Sequence, residues 1–261
     1  MNELKDKIAV IYGAGGAIGG AVARAFAREG ARLFLTGNRL GPVEAVVRDI
    51  VSAGGDAEAA EVDALDEQAI DNHLQSVVAK AGRIDISFNA MSTSITPNLE
   101  AVLVDMELKQ FSSSITNYTS SYFLTARLAA RRMLPNKSGV IMTVIAPSAR
   151  LGTPNGGYGP AQAAKEALTR YLSAELAPQG IRVLCLVPHG MPETETVREI
   201  FESRGKTAGI TWEQFTGTLA GGNHPKRTLT LAEMANVAAF VASDKASAMM
   251  GTTVNLTMGG Y

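Results

Sequence analysis

The chain has 261 residues, 46% of them hydrophobic, and a net formal charge of −1 at pH 7. That is ample material for one large core, and a balance so close to neutral gives no electrostatic footprint for nucleic acid or an anionic membrane surface. The charged opening MNELKDK, the lack of any stretch near the ~20 apolar residues of a membrane span, and the lone Cys185 lead us to expect a cytoplasmic protein without a disulfide. The histidines His73, His189 and His224 show no ligand spacing, so no metal site is expected.

In chain order, Ile8–Tyr12 is a short β-branched apolar run that reads as a strand buried on both faces. Gly13, Gly15, Gly16 and Gly19 follow at once, and Ala21, Val22, Ala25 and Phe26 then recur at helical spacing. Strand, glycine turn and helix start form the arrangement in which backbone N–H groups hold a pyrophosphate. Further on, Arg32–Thr36, Ala57–Val62, Ile84–Phe88, Val140–Ile145, Ile181–Val187 and Thr253–Leu256 read as strands. Between them lie helical patterns at Pro42–Ala53, Asp66–Ala81, Asp105–Leu134 (with a break expected near Ser112–Ser114), Tyr158–Ala177 and Leu231–Ser243. Such alternation predicts a single-domain, doubly wound α/β fold with a parallel sheet and right-handed crossovers. Met191–Arg227, dotted with glycines and lacking a strand pattern, falls after the sixth strand and is expected to form a substrate lid over the carboxyl edge of the sheet, with an oligomer contact as the alternative.

These motifs together resemble the short-chain dehydrogenase/reductase family over essentially the whole chain. YGAGGAIG, Tyr12–Gly19, is similar to the family's TGxxxGxG turn, with Tyr12 for its threonine and Ala17 for its middle glycine. The resemblance implies a Rossmann-like fold and a dinucleotide held by Gly13, Gly15, Ala17, Ile18 and Gly19. Asp63 falls where the family holds the adenine. Asn89 in NAMS matches the first asparagine of NNAG, and Asn117 falls at the family's structural or catalytic asparagine. Tyr158 precedes AAKEALTRYLSAELAPQGIRV, which is close to the stretch after the family's catalytic tyrosine. Pro188 and Gly190 echo the PG turn, Thr194 or Thr196 stands near the threonine that meets the carboxamide, and Met258–Gly260 ends the chain as the family often ends. A homo-oligomer built through the long helices and a small-molecule substrate are implied in the same way.

Two positions depart from the family. The catalytic serine should fall at Ala146 or Ile145, neither of which has a hydroxyl; Ser148 stands two positions beyond Ala146. The YxxxK pattern reads Tyr158-Gly-Pro-Ala-Gln162, placing glutamine where the family has a lysine. Lys165 is one turn later, and its spacing from Tyr158 also resembles the divergent enoyl reductases. At ~100° per residue, positions 158, 162 and 165 fall within roughly 60° of one stripe, with Lys165 about 10 Å along the axis from Tyr158. Helical side chains lean toward the N-terminus, so the Lys165 ammonium either points at the tyrosine or runs along the surface with its head in water. An unperturbed tyrosine is only about one part in a thousand phenolate at pH 7. Loss of a neighbouring cation therefore harms alcohol oxidation more than ketone reduction, which needs only a phenol proton.

After the second strand, where NAD-binding members place an aspartate, the chain has Gly37, Asn38 and Arg39. An acid is absent and a base is at hand for a 2′-phosphate, so NADP is expected, with NAD the alternative. The expected activity is reduction of a small carbonyl compound, with Tyr158 as proton donor and Asn117, Gln162 and Lys165 in support. Reduction of a polarised C=C bond, or a dinucleotide-binding sensor without catalysis, are the alternatives.

Overall fold

The computed structural model describes residues 2–94, 99 and 102–260. Seven parallel strands form one sheet: β1 (Ile8–Tyr12), β2 (Arg32–Gly37), β3 (Asp56–Glu61), β4 (Ile86–Asn89), β5 (Gly139–Val144), β6 (Ile181–Pro188) and β7 (Thr253–Leu256). Their order is β3-β2-β1-β4-β5-β6-β7, so the winding reverses between β1 and β4, where Tyr12 stands beside Asn89. Ligands of open α/β sheets settle in the crevice outside the carboxyl ends at such a reversal.

Successive residues of the buried strands feed opposite layers, as strand pleating demands. Ala9, Ile11, Leu33 and Leu35 pack toward α1 (Ala17–Arg28) and α8 (Leu231–Ala242). Val10, Tyr12 and Phe34 pack toward α3 (Glu67–Ala81), α4 (Leu108–Met133) and α5 (Tyr158–Leu176). Helix α2 (Leu40–Ser52) joins the first layer through Val43, Val46 and Ile50. Each layer thus covers one face of the parallel sheet, which explains why its strands read as near-continuous apolar runs.

Two differences from the sequence reading have plain causes. Helix α4 is unbroken through Ser112–Ser114: the Ser112 hydroxyl donates to the Leu108 carbonyl at 2.7 Å and that of Ser113 to the Gln110 carbonyl at 2.9 Å. Serine back-bonding of this kind is compatible with a continuing helix. The segment after β6 is mostly helical, with α6 (Glu195–Ile200), a π-turn at Phe201–Gly205 and α7 (Trp212–Gly222). Phe201, Trp212 and Phe215 clump there with ring centroids 5.1–5.9 Å apart. No helix among the described residues is long and apolar enough to cross a membrane, and they contain no group of three or more side chains placed to hold a metal ion.

Candidate active site

The carboxyl ends of β4, β5 and β6 open into a cavity of about 310 Å³, one wall of which comes from the segment after β6. At its edge lies the glycine turn. Gly13 has a φ of +74°, and a Cβ there would fall 2.7 Å from the Ala90 carbonyl oxygen. A Cβ on Gly19 would fall 2.3 Å from the Gly13 carbonyl oxygen, and one on Gly15 2.8 Å from Cβ of Pro42. These three glycines are therefore required by the chain's packing on itself. Gly16 is different: it is exposed at the cap of α1, and its Cβ would meet only the Gly13 carbonyl oxygen, at 3.4 Å. Nothing in the protein demands a glycine there, whereas a phosphate brought against the helix start does. The first turn of α1 carries no acid, exposed Ala17 opens it, and Ile18 lines the cavity, so the turn fits a pyrophosphate.

Tyr158 is the first residue of α5 and lines the cavity. Asn155 accepts the Gly159 N–H at 3.1 Å and so fixes this first turn. The Tyr158 ring meets that of Tyr118 edge-on, with centroids 5.5 Å apart. Burial first, then the charges of Tyr118 and Glu199, push its phenol pKa well above the usual range. Burial thus disfavours the phenolate and keeps the group protonated.

Gln162 and Lys165 both line the cavity and are almost wholly buried. Gln162 Oε1 accepts the backbone N–H of Ala146 at 3.3 Å. Lys165 overturns the surface reading, since its side chain lies inside the molecule. Its Nζ donates to the Val144 carbonyl at 2.8 Å and sits 5.8 Å from the ring centres of both Tyr118 and Tyr122. The carbonyl at the end of β5 thus holds the ammonium. Burial pulls the Lys165 pKa down to about 7. Ser148 borders the cavity too, but its hydroxyl is buried without a hydrogen-bond partner among the described residues.

Pro188, Gly190, Thr194 and Thr196 line the cavity, with the Thr194 hydroxyl donating to the Met191 carbonyl at 2.8 Å. Asn89 does not. Its amide donates to the hydroxyls of Ser121 and Thr125, both at 3.0 Å, which makes it a brace between β4 and α4 while Ala90, Met91 and Ser92 face the cavity. Asn117 is half-buried on α4 and not among the lining residues; its neighbour Tyr118 is. Asn38 and Arg39 are exposed just after β2, and Asp63 is exposed just after β3, where it accepts the Leu65 N–H at 2.9 Å. Cys185 is buried beside Thr253, its thiol pKa raised by burial, as befits an inert core residue.

Sequence reasoning missed Tyr118, His189 and Arg204. The Tyr118 hydroxyl accepts the Thr93 N–H at 3.2 Å and donates to the Thr93 carbonyl at 3.1 Å, tying the exit of β4 to α4. His189 lies inside the Pro188–Gly190 turn; its Nδ1 is buried without a partner among the described residues, and burial lowers its pKa. The turn itself was the available signal for His189, whereas nothing in the sequence marked the other two.

A family model described as Enoyl-(Acyl carrier protein) reductase matches residues 13–261. The chain belongs to the short-chain dehydrogenase/reductase family. It is similar to the 3-oxoacyl-[acyl-carrier-protein] reductase of Escherichia coli strain K12, with 30% identity over 99% of each chain. It is also similar to the short chain aldehyde dehydrogenase 1 of Euphorbia lathyris, with 29% identity over 99% of this chain and 89% of the relative. Among solved structures, a 7α-hydroxysteroid dehydrogenase in complex with NADH aligns with a TM-score of 0.84 and 27% identity, covering 99% of this short-chain dehydrogenase/reductase and 96% of the other chain. The protein is accordingly an NAD(P)-dependent short-chain oxidoreductase acting on small molecules.

Proposed function

We propose that the protein reduces a carbonyl group of a small organic substrate at the expense of NADPH, with Tyr158 as the proton donor. The observation that carries this reading is Tyr158 itself, a buried phenol held protonated at the wall of a largely apolar cavity. A reductase needs a proton source within reach of the substrate oxygen, and a phenol at the cavity wall can supply one. The dinucleotide, when bound, supplies the hydride.

The chain's own residues do the rest. The N-terminus of α1, with Gly13 to Gly19, would hold the pyrophosphate, and Arg39 the 2′-phosphate. Asp63 would meet the adenine, and Pro188 to Thr194 the nicotinamide end. Gln162 retains a carboxamide able to bond a ribose hydroxyl while its oxygen fixes the Ala146 turn. Lys165, while protonated, stands against the rings of Tyr118 and Tyr122, and Asn117 supports α4. As the carbonyl oxygen gains charge, the Tyr158 O–H gives up its proton to it.

Reduction of a polarised C=C bond is the second reading. It is favoured by Ala146, which offers no hydroxyl to clamp a carbonyl oxygen, and draws on the description of the matching family model. Following NADPH consumption with matched ketone and enone pairs separates the two. The account expects faster turnover of the ketone; turnover of the enone alone rejects it. We further propose a cytoplasmic homo-oligomer through α4 and α5, where Phe123 and Tyr171 are exposed.

A further inference from the structure

The wall of the cavity formed by the segment after β6 carries an unexplained cation. Arg204 sits on the π-turn after α6, and its guanidinium reaches across to two other segments. Nε and Nη2 donate to the Leu99 carbonyl at 3.2 and 2.6 Å, and Nη2 also donates to the Pro154 carbonyl. Both segments flank the proton donor. Leu99 packs with Tyr118 and Tyr158, and Pro154 immediately precedes Asn155, which fixes the first turn of α5.

Among the described residues, no carboxylate lines this cavity and none pairs with Arg204. Glu202, two residues away, is engaged by Lys206; Glu199, whose charge is felt at Tyr158, is not among the lining residues. The other lining cation, Lys165, is buried on the Val144 carbonyl. The third guanidinium nitrogen of Arg204, Nη1, has no hydrogen-bond partner among the described residues. Among the described residues the guanidinium is thus held by two carbonyls and meets no anion.

We infer that Arg204 recognises a carboxylate on the substrate, so that the compound reduced is an apolar keto acid rather than a neutral ketone. This rests on the carbonyl-reductase reading above and deepens it. The carbonyl lies at Tyr158, the apolar body along Leu99, Ile145 and Met191, and the carboxylate at the lid. One fixed cation suits a monoanion; a phosphate dianion ordinarily draws more than one. The apolar walls explain why the charge must sit at an end of the molecule: an ionised group left against them unpaired costs too much.

The test is binding, measured by calorimetry on the NADP⁺-saturated protein, of levulinate and its longer straight-chain homologues, each against its methyl ester. The acid is expected to bind more tightly than its ester in at least one pair, by roughly ten- to a hundredfold. Arg204→Met should remove that preference while leaving ester binding within about twofold, and Arg204→Lys should keep part of it; thermal melts confirm that each variant folds. No acid preference in any pair, or a preference that persists in Arg204→Met, overturns the inference. An equal fall for acid and ester in Arg204→Met also overturns it, because Arg204 is then only a clasp between the lid and the two loops. NADPH turnover of the same compounds is read separately: binding with acid preference but no turnover of any acid or ester counts against carbonyl reduction, not against the carboxylate site.

Discussion

Ala146 and Gln162, which the sequence reading sets at the family's serine position (with Ile145 the alternative) and its lysine position, are bonded to each other: the Ala146 N–H donates to Gln162 Oε1 at 3.3 Å. Glutamine is thus an acceptor that fixes the turn after β5, and Lys165, three residues on, is a buried ammonium one helical turn away. Restoring the family's lysine is consequently not a simple repair. Gln162→Lys removes the acceptor from a part-buried N–H and sets a second ammonium near the first at i,i+3 spacing. We expect Gln162→Lys to lose about 1–3 kcal/mol in denaturant unfolding, and Lys165→Leu in the same chain to recover much of it. Ala146→Ser with Gln162→Lys should raise alcohol oxidation only in that triple variant. Unchanged stability of Gln162→Lys would show that the Ala146 contact matters little.

Lys165 makes stability depend on pH in a defined direction. Its pKa is near 10.5 in the unfolded chain and about 7 when folded, because burial disfavours the ammonium. Between those values the unfolded chain binds the extra proton, so stability rises with pH from about 7 to about 10. Below pH 7 both states are protonated and the full burial cost is borne. Lys165→Met should therefore be more stable than the wild type at neutral pH, by on the order of a few kcal/mol, and should lose most of the upward slope. Melting curves from pH 6 to 10 check this; parallel profiles for the two proteins would refute the buried ammonium.

Much of the scaffold was legible in the sequence because its signals are local. The buried run Ile8–Tyr12 and the terminal strand Thr253–Leu256 have the bounds their apolar pattern predicts, and Tyr158 opens α5 where the motif put it. The errors arise where a side chain chooses between partners distant in sequence. The surface alternative for Lys165 fails because its side chain is buried on the Val144 carbonyl of another element. Asn89 sits where expected, yet the hydroxyls of Ser121 and Thr125 on α4 turn its amide away from the cavity. Arg204 could not be singled out because its partners lie 105 and 50 residues away.

Cofactor choice follows from the end of β2. With Gly37 where an acid would meet a ribose hydroxyl, and with exposed Arg39 two residues on, NADPH should bind more tightly than NADH. Arg39→Ala should narrow that gap roughly tenfold by weakening NADPH alone. Fluorescence titration of both cofactors measures it, and an equal or reversed preference in the wild type would remove the argument.

The segment Met191–Arg227 should be the most readily exchanging helical part of the ligand-free protein. Helix α7 has no buried residue, whereas α5 has ten. Few buried contacts mean low local opening energies. Hydrogen exchange should label the amides of α7 well before those of α5, and cofactor with substrate should slow them. Protection of α7 equal to that of α5 in the ligand-free protein would contradict a mobile lid.

The central claim is that the Tyr158 phenol donates the proton. Steady-state kcat/KM for NADPH-dependent reduction of one accepted carbonyl compound, wild type against Tyr158→Phe, addresses it most directly. The substitution removes only the hydroxyl and preserves the ring that packs on Tyr118. The account predicts a fall of about a hundredfold or more, the usual worth of a positioned general acid, with cofactor affinity unchanged. Wild-type turnover in Tyr158→Phe would show that the proton comes from elsewhere and contradict the account.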